Sequence, residues 1–320
     1  MVGNKQLAAA GYSEEAHGHY AIAAGFQGQR NWSDYRTTGD FAETILNSSF
    51  DWDGRREPLV IATENDSLNA ATMLMGHLLT GEAQIFADVR TYWSKNALEK
   101  ICDSESLPEE LLNGIIYLTN SGAAAVDGCL AATANGRHCM KPSWEMTEED
   151  IDRCMRASRW APDKTTTFRG GGYSVSYLTR ADAPMTMVRL NLVSGLGPSL
   201  QIIEGRSVEL PGDLQEKIIR RTDPTWPKTF FVPRLTGTGK CSSIYEIMNV
   251  WGANHCSLCY GHRGKEFITL ASMLRIPVSI HNIDEADIFR PSAWDLFGDP
   301  ADTDTDFRAC RNYSALYGKY

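Results

Sequence analysis

Two short apolar runs on either side of a capped helix signal restrict the first quarter of this 320-residue chain to an α/β arrangement. Pro58-Leu-Val-Ile-Ala-Thr63 has the apolar, β-branched content of a strand. Asn65-Asp-Ser67 then supplies side-chain acceptors for the first free amides of a helix, predicted from about Leu68 to Leu79. Gly81 stands where a left-handed glycine closes such a helix, and Ala83-Gln-Ile-Phe-Ala87 reads as the next strand. The pattern is that of a β-α-β unit. Its strands are expected to be parallel, neighbouring or nearly so, and joined by a right-handed crossover.

A third strand-like run, Gly114 to Thr119, precedes Asn120-Ser-Gly122. Residues 123–165 read as excursions rich in Gly, Pro and charge, with a helix start at Thr147-Glu-Glu-Asp150. From about residue 168 the pattern changes. Tyr173 to Leu178, Met185 to Val193 and Leu200 to Ile203 are β-rich runs between Gly and Pro turns, and they predict successive antiparallel strands curling into a sheet or small barrel. Helix returns around Ser243 to Val250 and Glu266 to Leu274. The expected fold is therefore an α/β remnant over residues 1–80, with parallel strands and a crossover helix, then an α+β domain over 81–320 with an antiparallel, barrel-like sheet. Met1 to Gly11 is helical in character but too short for a domain, so the chain reads as starting inside a larger architecture.

A net charge of −9 argues against a broad nucleic-acid surface, which needs concentrated Lys and Arg. No run of about 18 apolar residues predicts a membrane span, and no apolar stretch follows the basic start as in a signal peptide. The 8 cysteines are scattered, which suits reduced thiols in the cytoplasm better than a disulfide framework.

Glu64 and Asp88 each end a strand-like run, one helix apart. In open α/β sheets such strand ends share the rim at which ligands bind, so the two carboxylates are candidates to share a cation. Acidic residues at strand ends also serve as turn and cap residues, and spacing alone leaves both readings open. His255, in Trp251-Gly-Ala-Asn-His255, would complete an N/O donor set for a divalent ion such as Mn²⁺, and a lone His in such a place is also commonly a loop or core residue. His255-Cys256-Ser-Leu-Cys259-Tyr-Gly-His262 imitates half a zinc site, but no second ligand pair stands at a regular spacing. Cys256 and Cys259 are expected to be small core residues. Arg234 to Lys240 ends like a phosphate loop, yet the first glycine position is Arg234 and Cys241 replaces the Mg²⁺-binding hydroxyl. The glycines of Arg169-Gly-Gly-Gly-Tyr173 predict a tight turn or a close backbone approach. Tyr173 and Trp226 adjoin turns and could stack on a sugar.

Several long strings carry a resemblance: Gly25-Phe-Gln-Gly-Gln-Arg30, Ala62-Thr-Glu-Asn-Asp-Ser-Leu-Asn69, Phe86-Ala-Asp-Val-Arg-Thr-Tyr-Trp93, Phe168 to Tyr173, Trp251 to His255, Phe267 to Pro277, and Arg290-Pro-Ser-Ala-Trp294. They closely resemble the L-fucose isomerase family, over essentially the whole chain. The resemblance implies Glu64, Asp88 and His255 as Mn²⁺ ligands, with Glu64 and Asp88 also moving the protons. It implies Gln27, Ser121 and Asn254 as residues facing the sugar, which Tyr173 joins as a substrate-binding candidate from its place beside the glycine turn. The implied reaction is L-fucose to L-fuculose, and D-arabinose to D-ribulose, through a cis-enediol. The family's members are about twice as long, with two N-terminal α/β domains, and assemble as hexamers. On that comparison the chain begins late in the second domain, and Pro58 to Thr63 is expected to have lost its strand partners and to favour poor solubility. The chain is read first as the catalytic half of an isomerase whose N-terminal half is encoded separately or was removed. The alternative is an inactive truncated remnant or assembly subunit that retains the metal site and needs a separate N-terminal half. A sister enzyme acting on L-arabinose matches the strings less well.

Overall fold

A computed structural model describes residues 4–17, 21–26, 33–103, 107–120, 123–129, 132–134, 137–194, 197–221 and 226–288. Arg290 to Trp294 lie outside them. Its centre is a mixed sheet of seven strands: β1 (Ile85–Trp93), β2 (Ile115–Thr119), β3 (Pro184–Val193), β4 (Gly197–Ser207), β5 (Lys228–Pro233), β6 (His255–Tyr260) and β7 (Val278–Ile280). The spatial order is β3-β6-β1-β2-β5-β4-β7. All neighbouring pairs are antiparallel except β4 with β7. Because β3 also pairs along its length with β4, the run of antiparallel ladders returns to the strand where it began.

Both faces of this sheet are covered, which explains why its strands read as continuous apolar runs. On β2, Ile116 and Leu118 enter the largest core with Met185, Met187, Phe231 and Leu258. The alternate residues Ile115 and Tyr117 point the other way, where Tyr117 stacks on Phe230 at 5.3 Å between ring centres.

The helices follow their caps. Helix α1 (Asp40–Asn47) covers the short strand at Ile61–Ala62. Helix α2 (Ser67–Thr80) starts at the Asp66 cap and ends at left-handed Gly81, close to the expected limits. Thr147 and Asp150 form a capping box for α3 (Glu148–Ala157), and α4 (Ile244–Trp251) and α5 (Gly264–Leu274) fall where the sequence puts them.

The β-α-β expectation fails. Ile61–Ala62 pairs in parallel with Ala24–Gly25, whereas Ile85–Trp93 is β1 of the large sheet, flanked by antiparallel neighbours. Helix α2 thus connects two separate sheets. Pro58 to Thr63 keeps a strand partner at Ile61–Ala62, although Leu59 stands 51% exposed. Val60, Ile61 and Ala62 are buried, and the Asn47 side chain donates to the Ile61 carbonyl and accepts from its amide, both at 2.8 Å. Tyr173–Ser176 is also not the first strand of the main sheet, because it pairs with Arg159–Pro162 in a separate two-stranded sheet. The Gly170 backbone meets that of Arg36 so closely that a Cβ would stand 1.8 Å from the Arg36 carbonyl oxygen.

Candidate metal centre

The turn Thr63–Asn65 leaves the Ile61–Ala62 strand with two consecutive non-glycine residues at positive φ, Glu64 at 58° and Asn65 at 55°. Such backbone costs about 1–3 kcal/mol per residue and persists only where its surroundings hold it. Here they do. Gly25 lies beneath the turn, where a Cβ would approach the Ala62 carbonyl oxygen to 2.5 Å and the Asn65 Cα to 2.7 Å. Thr63 Oγ1 donates to Glu43 Oε2 at 3.0 Å, and the Asp66 carboxylate accepts from the Asn69 amide at 3.0 Å to start α2. The turn leaves the Glu64 side chain 55% exposed.

Asp88 and His255 face each other directly across the β1–β6 ladder. His255 Nε2 stands 3.5 Å from Asp88 Oδ1 and 3.8 Å from Glu64 Oε2. The Asn254 amide nitrogen is 3.2 Å from the same Nε2. On the other side of the ring, Nδ1 is 2.7 Å from Asp66 Oδ2, which also takes a 2.6 Å hydrogen bond from Arg189. Phe86 packs against the imidazole at 4.8 Å between centres. Burial pushes the Asp88 carboxyl up to about 6, with Arg90 and His255 opposing the rise and Glu64 adding to it. Burial also acts on Asp66, but hydrogen bonds from His255 and Arg189 outweigh it and hold that carboxyl far below the usual carboxylate range. Glu43, buried behind the turn, is raised to about 7 by burial despite its Thr63 bond.

One imidazole nitrogen and two carboxylates from three elements thus point at one volume, a donor set suited to a divalent ion such as Mn²⁺. Donors on adjacent corners of a small octahedral ion stand about 3 Å apart. The distances of 3.5 and 3.8 Å from Nε2 are wider, and among the described residues no three His, Cys, Asp or Glu side chains stand close enough together to form a ready-made metal site. What fits a divalent ion is the chemistry of the donors, one imidazole nitrogen and two carboxylates, with Glu64 the wider of the two carboxylate contacts.

Beside Asp88 the β1 strand carries a bulge between Val89 and Thr91, which holds Arg90. Arg90 lies 3.3 Å from Asp88 Oδ2 and spreads its guanidinium over Trp226, 5.1 Å from the ring centre. It borders a cleft of about 860 Å³ shared with Trp93, Tyr117, Lys164, Arg221 and Trp226, within the size range of small-molecule sites.

Of the residues expected to face a sugar, Asn254 joins the cluster. Gln27 and Ser121 lie outside the described residues. Tyr173 is 54% exposed and lies at the start of a strand that pairs with Arg159–Pro162, in a sheet separate from the one that carries Asp88 and His255. Cys256 and Cys259 are buried in β6 and enter different cores, because an offset of three positions along a strand puts them on opposite faces. Arg234 pairs with Asp284 and Lys240 donates to the Ser279 carbonyl, which leaves neither poised as in a phosphate loop. Sequence reasoning missed Asp66, seen only as a cap, and Arg189. The available signal for Arg189 was a lone Arg inside the apolar run Met185 to Val193.

Residues 118–282 match the family model described as L-fucose isomerase, C-terminal domain, and residues 1–81 match L-fucose isomerase, second N-terminal domain. The chain is 54% identical over 318 residues to an L-fucose isomerase of Haemophilus influenzae (strain PittEE), covering 99% of this chain and 53% of that protein. It is 52% identical to one from Vibrio vulnificus (strain YJ016), and 54% identical to one from Escherichia coli O9:H4 (strain HS), with 54% of each relative covered. The chain therefore spans about half the length of these relatives.

Proposed function

The chain belongs to the L-fucose isomerase family, and from that premise we propose that it carries the cation site of an aldose–ketose isomerase acting on L-fucose, with D-arabinose as a second substrate. The observation that carries the reading is the convergence of Glu64 and Asp88 on the same imidazole nitrogen, His255 Nε2. Mn²⁺ is the proposed ion, held by those three residues, and when bound it supplies Lewis-acid polarisation of the sugar's carbonyl and adjacent hydroxyl oxygens.

The residues divide the remaining work. Glu64, open to solvent, takes the C2 proton of the open-chain aldose, exchanges it with water and delivers a proton to C1. Asp88, partly enclosed opposite β6, passes the hydroxyl proton from O2 to O1, so that a cis-enediol lies between aldose and ketose. Arg90 holds the Asp88 carboxylate at its outer oxygen. Asn254, and the Trp226 wall of the adjoining cleft, orient the sugar. Gln27, Ser121 and Tyr173 belong to the same proposed contact set. We extend the reading to a homo-oligomer, the family's hexamer, in the cytoplasm. No helix of the described residues is long and apolar enough to cross a membrane. The return of the antiparallel ladders from β4 to β3 supports reading the main sheet as a closed barrel.

The test is ketose formation from L-fucose and D-arabinose by the purified chain with Mn²⁺, run in D₂O. Turnover with deuterium entering C1 of the product, lost in Glu64→Gln, is the expected result. A folded, Mn²⁺-loaded chain that turns over neither sugar would sink the isomerase reading and leave an inactive metal-binding remnant.

A further inference from the structure

The hydrogen bonds around His255 are asymmetric in a way the donor set alone does not require. Nδ1 meets a carboxylate at 2.7 Å, and that carboxylate is fixed on three sides. Asp66 Oδ2 also accepts from Arg189, while Oδ1 accepts the Asn69 amide as the cap of α2. The Arg189 and Asp66 side chains are 7% and 14% exposed, so neither bond is diluted by bulk water. A carboxylate held by Arg189 and an N-cap amide has no proton to give. The proton on the Asp66–His255 line is therefore the imidazole's own, carried on Nδ1. In the neutral ring the lone pair must then lie on Nε2.

Nε2 is the nitrogen that faces Glu64, Asp88 and the Asn254 amide. The Asn254 orientation agrees with this, because an amide NH₂ donates to a lone pair and would clash with an N–H. Asp66 also lies two residues beyond Glu64, on the same turn. One side chain thus links the element that carries the first carboxylate to the ring that carries the nitrogen donor.

We propose that Asp66, anchored by Arg189, is a positioning residue that locks His255 as the Nδ1–H tautomer and so presents the Nε2 lone pair to the divalent cation. The inference rests on the cation-site reading above. It concerns what orients the ligand, in the manner by which outer carboxylates orient metal-binding histidines.

Asp66→Asn is a discriminating substitution because Asn caps helices as well as Asp does. Its Oδ1 can keep the Asn69 amide, which leaves an NH₂ group facing both His255 Nδ1 and Arg189. That polarity favours a lone pair on Nδ1 and a proton on Nε2, the nitrogen the cation needs free. ¹⁵N NMR of the metal-free chain reads the tautomer directly. The expected result is Nδ1–H in the wild type and a shift to Nε2–H in Asp66→Asn. Mn²⁺ affinity, measured by calorimetry, is expected to fall about 10–100-fold in Asp66→Asn. Asp66→Glu is expected to recover part of that loss, and Arg189→Met to show a smaller loss with a mixture of tautomers.

A wild-type ring with its proton on Nε2 would overturn the proposal, as would an Asp66→Asn variant with unchanged tautomer and affinity. Because the NMR readout needs no metal, it decides the question even if the wild type binds no Mn²⁺. That last outcome would instead defeat the cation-site reading on which the isomerase function rests.

Discussion

At the residue scale, the candidate site uses side chains whose chemistry depends on partners far along the chain. Glu64 was read as a strand end and His255 as a residue just past a helix, and the strings around all three resemble a known family. Asp88, also read as a strand end on a shared rim, lies instead inside β1 on a different sheet. Asp66 was visible only as a cap. Its partners Arg189 and His255 lie 123 and 189 residues away, distances over which no local pattern carries information. Glu82 illustrates a buried acid outside the site. Its Oε2 has no hydrogen-bond partner among the described residues, and Arg263 approaches only to 3.8 Å. Burial pushes its carboxyl from 4.5 up to about 8, with Arg263 opposing. An acid raised on folding favours the fold most while protonated in both states. That contribution is complete below pH 4.5 and is lost as pH rises through about 8. Glu82→Gln should therefore melt close to the wild type at pH 4.5 and above it at pH 9. A melting difference that stays constant across that range would contradict the assignment.

At the scale of elements, helix α2 was read almost to its ends, because Asp66, Ser67 and Gly81 carry local cap chemistry. Its placement was misread. Apolar runs say that a segment is a strand without saying which strand it pairs with, and Ile61–Ala62 finds Ala24–Gly25 rather than β1. That short parallel pair is also what supports the Glu64 turn. Gly25→Ala would force a methyl against the Ala62 carbonyl and the Asn65 Cα. The expected cost is about 1–3 kcal/mol of stability, together with weaker Mn²⁺ binding as the turn shifts. Thermal melts and calorimetry on one variant check both, and an unchanged Mn²⁺ affinity would detach the turn's geometry from the site. Asn47→Ala removes both hydrogen bonds to Ile61, leaving its buried amide and carbonyl unpaired, and should cost about 1–3 kcal/mol by denaturant unfolding.

For the whole molecule, the antiparallel character of residues 184–207 was readable from turn-separated β runs, whereas the order β3-β6-β1-β2-β5-β4-β7 was not. That order depends on long-range pairings, and it is what sets Asp88 of β1 opposite His255 of β6. The same burial explains the C-x-x-C of β6. Cys256 and Cys259 are fully buried thiols raised far above their usual range by that burial. They should resist a thiol reagent in the native chain and react on unfolding; rapid native labelling of either would contradict the packing.

The most direct test of the central claim is a manganese titration of the folded chain followed by electron paramagnetic resonance, with Glu64→Gln, Asp88→Asn and His255→Ala in parallel. One bound ion per chain, weakened by each of the three substitutions, is the result predicted for a single site shared by these residues. A folded wild type that binds no manganese, or binds it just as well without any of the three, would contradict it.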